Sequence, residues 1–112
     1  MKNATETDLV RACRQFLALY GVFAIRVNSG AFVGNYQGRR RFARFNSEPG
    51  CSDILGCLPD GKFLAVECKM PGKRLSAAQQ SFLDAVCRQG GLGVVVHSIA
   101  ELDSVLKLEG YL

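Results

Sequence analysis

Hydrophobic residues recur at helical spacing in three stretches of the chain. The first stretch follows Thr5-Glu6-Thr7-Asp8, which has the spacing of a capping box, and it stops at Gly21. A second capping-box sequence, Ser76-Ala77-Ala78-Gln79, opens a stretch that stops at Gly90-Gly91, and a third, Ser98-Ile99-Ala100-Glu101, opens the last. These patterns predict helices over about residues 6–20, 77–89 and 99–108.

Shorter apolar runs, separated by turn residues, predict six strands. Their ranges are Val22–Asn28, Ala31–Tyr36, Arg40–Phe45, Ser52–Leu58, Lys62–Lys69 and Gly93–His97. Gln37-Gly38 and Pro59-Asp60-Gly61 are turn signals that predict two hairpins, whereas Pro49-Gly50 belongs to a polar, bendable stretch. The last strand follows a helix, so it should pair parallel to the strand before that helix. The order α-β-β-β-β-β-α-β-α indicates an α/β or α+β fold with a mixed sheet.

Length and composition limit the class of protein. A chain of 112 residues fits one domain, and 48% hydrophobic with 21% charged residues excludes disorder, collagen and coiled coil. No run approaches the roughly 20 apolar residues that span a bilayer. The N-terminus lacks the apolar core of a signal peptide. We therefore expect a soluble, unexported protein in the cytoplasm, with no membrane partner.

The five cysteines and the single histidine exclude several kinds of site. No CxxC occurs and His97 has no second histidine, so the ligands of a zinc site and of a redox motif are missing. We expect free thiols packed as small hydrophobic groups, and a structural hydrogen bond for His97. Neither a Ser/His/Asp hydrolase nor a phosphate-binding loop has support from the spacing.

Positive charge is concentrated in one predicted hairpin. The chain carries 14 Lys and Arg against 10 Asp and Glu, a net charge of +4. Four of the cations fall within six residues, interleaved with Phe42 and Phe45; they are Arg39, Arg40, Arg41 and Arg44. Arginines with interleaved aromatics suit a nucleic-acid backbone, and Lys73 and Arg74 would extend that surface. The alternative is an edge strand protected by charge.

The apolar strand before the second helix ends with a carboxylate and an ammonium group on one face, Glu67 and Lys69. A hairpin that pairs Leu58 with Lys62 sets the register. In that register Asp53 lies opposite Glu67, with Cβ atoms about 4.5–5.5 Å apart. Like charges so close destabilise a hairpin unless something neutralises them, and oxygen ligands suit Mg²⁺ or Mn²⁺. The pattern indicates a divalent metal site.

Each of these residues also has an ordinary structural explanation. Glu67 and Lys69 could lie on a solvated strand face, and Asp53 could be a turn residue. Glu6 continues the buried stripe of the first helix, but an acid in a first turn also favours the helix dipole. Gln79 could simply complete its capping box. The conjunction of these residues favours the site.

Three motifs together resemble the PD-(D/E)XK nuclease superfamily. They are Gly50-Cys51-Ser52-Asp53, Glu67-Cys68-Lys69 and Leu75-Ser76-Ala77-Ala78-Gln79. More narrowly, the chain is similar to the stand-alone VRR-NUC (virus-type replication-repair nuclease) domains of phages and prophages. The likeness spans nearly the whole chain, including Glu6, the arginine hairpin and the Gly90-Gly91 turn. It departs at Ser52, where the family usually has proline, which affects loop stiffness more than chemistry.

The resemblance implies a restriction-endonuclease-like fold over residues 1–112, a mixed central sheet flanked by helices. It implies that Asp53, Glu67 and the backbone carbonyl of Cys68 bind Mg²⁺ or Mn²⁺. Lys69 would orient the attacking water or stabilise charge. Gln79 would steady the site and Glu6 would complete its acidic shell.

The implied activity is metal-dependent cleavage of DNA. We expect a structure-selective endonuclease acting on Holliday junctions, branched or flapped DNA, working as a homodimer. A phage or prophage origin would place it in a bacterial host cell. Two alternatives remain open at this point. One is a non-catalytic nucleic-acid-binding module that retains the fold, and the other is a restriction-type, sequence-specific nuclease.

Overall fold

A computed structural model describes residues 4–27, 31–44 and 48–112, and for residues 31–36 and 40–44 it describes the backbone alone. The helices in these ranges are α1 Glu6–Leu19, α2 Ala77–Arg88 and α3 Ile99–Leu108. The strands are β1 Phe23–Arg26, β2 Ala31–Tyr36, β3 Arg39–Arg44, β4 Ile54–Cys57, β5 Phe63–Cys68 and β6 Leu92–Val96. The element order is the predicted one. The predicted strand ends Asn28 and Phe45 lie outside the described residues.

Four strands form a mixed sheet in the order β1-β4-β5-β6, with β6 parallel to β5 and the other pairs antiparallel. Helices α1 and α3 cover one face, where Leu64, Val66 and Cys68 lie in the larger core. Helix α2 covers the other face, packing Leu83 and Val86 against Ala65. The prediction of a mixed α+β sheet flanked by helices is confirmed, although β2 and β3 form a separate two-stranded sheet.

The register of the β4–β5 hairpin is the predicted one. The Leu58 amide donates to the Lys62 carbonyl at 2.8 Å, and Ile54 lies opposite Val66. Extended by one residue, this register places Asp53 opposite Glu67. The pairing is fixed because Ile54 and Val66 share the larger core, and a slip of one residue would bring side chains of opposite faces together.

Reciprocal capping boxes begin α1 and α2, as predicted. Thr5 and Asp8 exchange hydrogen bonds at the start of α1, and Ser76 and Gln79 do so at the start of α2. Of the two hydrogen bonds predicted for the third capping box, one is present and the other is replaced. The Ser98 hydroxyl accepts from the Glu101 amide at 3.2 Å, but the Glu101 carboxylate accepts from the His97 amide instead of the Ser98 amide.

The reason for that difference is the imidazole of His97. Its Nδ1 lies 3.0 Å from Glu101 Oε2, so the carboxylate bonds both the ring and the amide of one residue. This contact gives His97 the structural hydrogen bond that the sequence predicts. No helix in the described part of the chain is long and apolar enough to cross a bilayer.

The cysteines are free thiols, but they are not all packed inside. Cys13, Cys51 and Cys68 are buried, as expected, whereas Cys57 and Cys87 are exposed. Cys57 is the last residue of β4, and Cys87 lies in the last turn of α2. The Cys87 thiol donates to the carbonyl of Gly93 at 3.5 Å.

Candidate metal centre

Asp53 is held between two strands just before β4 begins. Its carbonyl accepts from the Val27 amide at 2.7 Å, which continues the ladder between β1 and β4. Its Oδ2 accepts from the backbone amide of Cys68 at 2.8 Å. Cys68 is the last residue of β5 and directly follows Glu67. The bond therefore holds the Asp53 carboxylate beside Glu67.

Glu67 is a buried carboxylate with one oxygen engaged and one free. The residue is 2% exposed, and its Oε1 accepts from Gln79 Nε2 at 3.2 Å. Its Oε2 is buried and has no hydrogen-bond partner among the described residues. An unpaired buried carboxylate oxygen is costly, so a positive ligand at this oxygen would relieve a real penalty.

A third carboxylate reaches the same point from another element. Glu6 is the first residue of α1, and its carboxylate is half-buried. One oxygen from each of Glu6, Asp53 and Glu67 lies within 4.8 Å of the other two. The helix start, the loop before β4 and the end of β5 therefore converge on one small acidic site.

The acidic neighbours and the burial disturb the titration of Glu67. Burial, followed by the negative charge of the neighbouring Asp53 carboxylate, raises the pKa of Glu67 from 4.5 to about 8. Glu6 adds a smaller increase, and Lys69 opposes these effects. The clustered negative charge opposes ionisation of Glu67 in the metal-free protein. A bound cation would neutralise that charge.

Gln79 serves two elements at once. Its backbone amide donates to the Ser76 hydroxyl at 3.1 Å, and its Oε1 accepts from the Ser76 amide at 2.9 Å. Its Nε2 is then free to donate to Glu67. The Gln79 side chain therefore caps α2 and contacts Glu67 at the same time.

Lys69 follows β5 directly and continues its ladder, because the Lys69 amide donates to the Val96 carbonyl at 3.0 Å. The residue is half-buried, and its charge lowers the pKa of Glu67. Cys68, between these two residues, turns its thiol to the other face, into the core with Cys13. Only the backbone of Cys68 is therefore directed to the site, as the alternation along β5 requires.

The predicted DNA-contacting residues lie in strand β3 and in the loop between β5 and α2. Lys73 and Arg74 are exposed in the loop between β5 and α2, and Arg39 is exposed at the start of β3. Of Arg40, Arg41 and Arg44 the structure describes the backbone, which pairs with β2 opposite Asn35, Gly34 and Ala31.

Two residues beside Asp53 were missed or undervalued by sequence reasoning. Ser52 is fully buried, and its hydroxyl has no partner among the described residues. Gly50 has φ +74° and lies against the first turn of α2. The Pro49-Gly50 dipeptide is a turn signal that could have identified Gly50, whereas nothing local distinguishes a buried Ser52 from an exposed one.

The residues present fit a divalent cation. Three carboxylates gather within 4.8 Å, and one of their oxygens is buried without a partner in the described part of the chain. Oxygen-only donors are those that Mg²⁺ and Mn²⁺ prefer, and the Cys68 thiol lies in the core instead.

Together, the fold and the acidic site define an α+β domain of the restriction-endonuclease-like class. The chain belongs to the VRR-NUC family, because the family model of the VRR-NUC domain matches residues 4–100. It is therefore a nuclease-family domain. A solved structure titled "VRR_NUC domain" is similar over 97% of this chain and 100% of its own, with a TM-score of 0.62 and 22% identity, which shows a shared fold. Curated proteins gave no match to the sequence.

Proposed function

We propose that the protein is a Mg²⁺- or Mn²⁺-dependent DNA endonuclease that acts on branched or flapped DNA. The observation that carries the proposal is the buried, unpartnered Oε2 of Glu67 among three convergent carboxylates in the described part of a VRR-NUC domain. A purely structural role gives no reason to bury that oxygen without a hydrogen bond.

In this proposal Asp53, Glu67 and the Cys68 carbonyl hold the metal, and Glu6 completes the acidic shell. A bound divalent metal would supply a Lewis acid for the scissile phosphate and a lowered pKa for water. Gln79 Nε2 donates to one oxygen of Glu67 at 3.2 Å, so the other oxygen, Oε2, would be the one to bind the cation.

Lys69 is the residue proposed to act on the phosphate and the attacking water. A lysine ammonium is a compact charge on a flexible stem, suited to a phosphate oxygen. Lys69 follows Glu67 by two positions on the same face of β5, so its charge stays next to the carboxylates without belonging to their cluster.

Recognition of DNA shape is proposed to come from the surface around this site. A single small domain leaves little room for reading bases, and contacts to phosphates position a protein without specifying sequence. The arginine hairpin, with Lys73 and Arg74, would provide those contacts. A substrate panel of labelled junctions, flaps, single strands and duplexes, in Mg²⁺ or Mn²⁺, tests this directly.

We expect cleavage of branched substrates that stops in EDTA. DNA binding without cleavage in any metal would favour the non-catalytic module instead. A cut at one fixed site in random linear duplex would favour the restriction-type nuclease.

The proposal includes a symmetric dimer, in which two sites address two strands. Uncovered apolar side chains give the sheet face beside α2 a surface that a second copy could bury; Phe23 is 72% and Phe63 47% exposed. Light scattering should give twice the chain mass of 12.2 kDa at micromolar concentration. A monomer under those conditions would remove the dimer from the proposal.

A further inference from the structure

The segment that leads into Asp53 is a tight turn pressed against α2. The Cys51 amide donates to the Glu48 carbonyl at 3.3 Å, which closes a four-residue turn. Pro49 stands at its second position and Gly50, with φ +74°, at its third, which is the pattern of a type II turn. The positive φ at that position favours glycine strongly.

Gly50 is also required by space, independently of its φ. A Cβ added there would overlap the carbonyl group of Ala78 and lie 2.6 Å from the backbone nitrogen of Gln79. Other glycines with positive φ have open space around the same position; Gly61, with φ +90°, has nothing within 4 Å. The turn therefore touches the backbone of α2 at the residue that contacts Glu67.

The packing around Gly50 determines whether the turn or helix α2 would move if a Cβ were added there. On the strand side, Cys51 and Ser52 are buried, at 4% and 0% exposure, so the turn is backed by the core. On the helix side, Ala78 is exposed, while the far half of α2 lies close to β6, where a Cβ on Gly93 would be 2.9 Å from the Leu83 carbonyl. A push at Gly50 would therefore swing the first turn of α2 outward.

We infer that Gly50 is a positioning residue. Because it has no Cβ, the first turn of α2 can contact its backbone, and this contact places Gln79 Nε2 within hydrogen-bond distance of Glu67 Oε1. That bond is 3.2 Å long, at the upper end of the normal range, so a shift of about half an ångström breaks it. The inference rests on the proposed function only for its consequence, which is weaker metal binding by Glu67.

The first test needs no metal. In ¹⁵N-labelled protein in EDTA, Gly50→Ala should move the Gln79 side-chain amide signals to free-amide positions. Gly61→Ala is the matched control, because it carries the same positive-φ strain at the opposite end of the β4–β5 hairpin; it should leave those signals in place. Unmoved Gln79 signals in folded Gly50→Ala would overturn the inference.

The second test asks whether Gly50 acts through Gln79. Removing a group that hydrogen-bonds to a metal ligand typically costs 10–100-fold in affinity or activity, so Gly50→Ala should weaken Mn²⁺ binding by about that factor. In a Gln79→Ala background the same change should add less than about twofold, because residues that act through one contact are not additive. Full additivity would contradict the inference.

Should Gly50→Ala fail to fold, Pro49→Gly decides, since it loosens the turn without adding atoms. It should shift the Gln79 signals in the same direction by a smaller amount, and unchanged signals would overturn the inference. The two proposals fail separately. A wild-type chain that neither binds Mn²⁺ nor cleaves DNA contradicts the proposed function, while the amide signals still decide the role of Gly50.

Discussion

Glu67 is the side chain of the site whose ionisation is most strongly opposed by burial and by neighbouring negative charge. It is buried, it lies beside Asp53 and Glu6, and one of its oxygens has no partner among the described residues. Its raised pKa is a statement about stability. A carboxyl that holds its proton more tightly in the folded state stabilises the fold below the unfolded pKa, near 4.5, and that contribution is lost as pH rises through about 8.

We therefore expect the metal-free protein to lose stability between about pH 4.5 and 8, and Glu67→Gln to lose less. Metal binding must displace the proton at lower pH, so Mn²⁺ should raise the melting temperature more at pH 8 than at pH 6. Circular dichroism melts in EDTA and in Mn²⁺ measure both effects. Equal pH slopes for wild type and Glu67→Gln would show that Glu67 titrates normally.

Helix α2 is the element that joins fold and chemistry. Its N-terminal capping box uses the same glutamine that hydrogen-bonds to Glu67, so the order of its first turn and the order of the site are linked. Helix α3 offers a natural comparison, because Ser98 makes the same bond to a backbone amide at the start of a helix that does not carry Gln79.

Ser76→Ala and Ser98→Ala should each lower the free energy of unfolding by about 1 kcal/mol, the usual cost of losing an N-cap. Only Ser76→Ala should also weaken Mn²⁺ binding, by up to about tenfold, because only its helix carries Gln79. Denaturant melts and calorimetric Mn²⁺ titrations of both variants measure this. Equal Mn²⁺ affinities would mean that the first turn of α2 does not set the geometry of Glu67.

The β2–β3 hairpin is a separate two-stranded sheet, so its arginines can be changed without disturbing the four-stranded sheet. Replacing Arg39, Arg40, Arg41 and Arg44 by Gln should reduce the slope of log affinity against log salt by about 0.9 for each phosphate that the variant no longer neutralises. Cleavage at saturating DNA should persist. Fluorescence anisotropy across salt concentrations measures the slope, with exposed Arg14→Gln as the control. An unchanged slope would assign the hairpin to edge protection.

At the scale of the molecule, much of the site could be predicted because its information is local. Strand alternation and one turn define the register that places Asp53 opposite Glu67, and a capping box locates Gln79. The position of Glu6 beside Asp53 and Glu67 depends on how α1 packs on the sheet. Helical periodicity indicates which face of α1 is buried but not where that face lies on the sheet. The contact of Gly50 with α2 could not be predicted, since it joins two backbones whose separation no local pattern encodes.

The separation of the hairpin from the main sheet was also beyond local reasoning. Residues 31–44 satisfy every hairpin signal equally well inside a sheet or outside it. A radius of gyration of 15.4 Å, against about 13 Å for a compact chain of this length, agrees with a less compact shape.

The central claim is that the carboxylates and Lys69 cleave DNA with a shared divalent metal. The most direct measurement compares cleavage of a labelled branched substrate in Mn²⁺ by wild type, Asp53→Ala and Lys69→Ala, after circular dichroism and anisotropy have matched folding and DNA binding. We expect wild-type cleavage and no detectable cleavage by either folded, DNA-binding variant. Cleavage by either variant at close to the wild-type rate would contradict the assignment of the site.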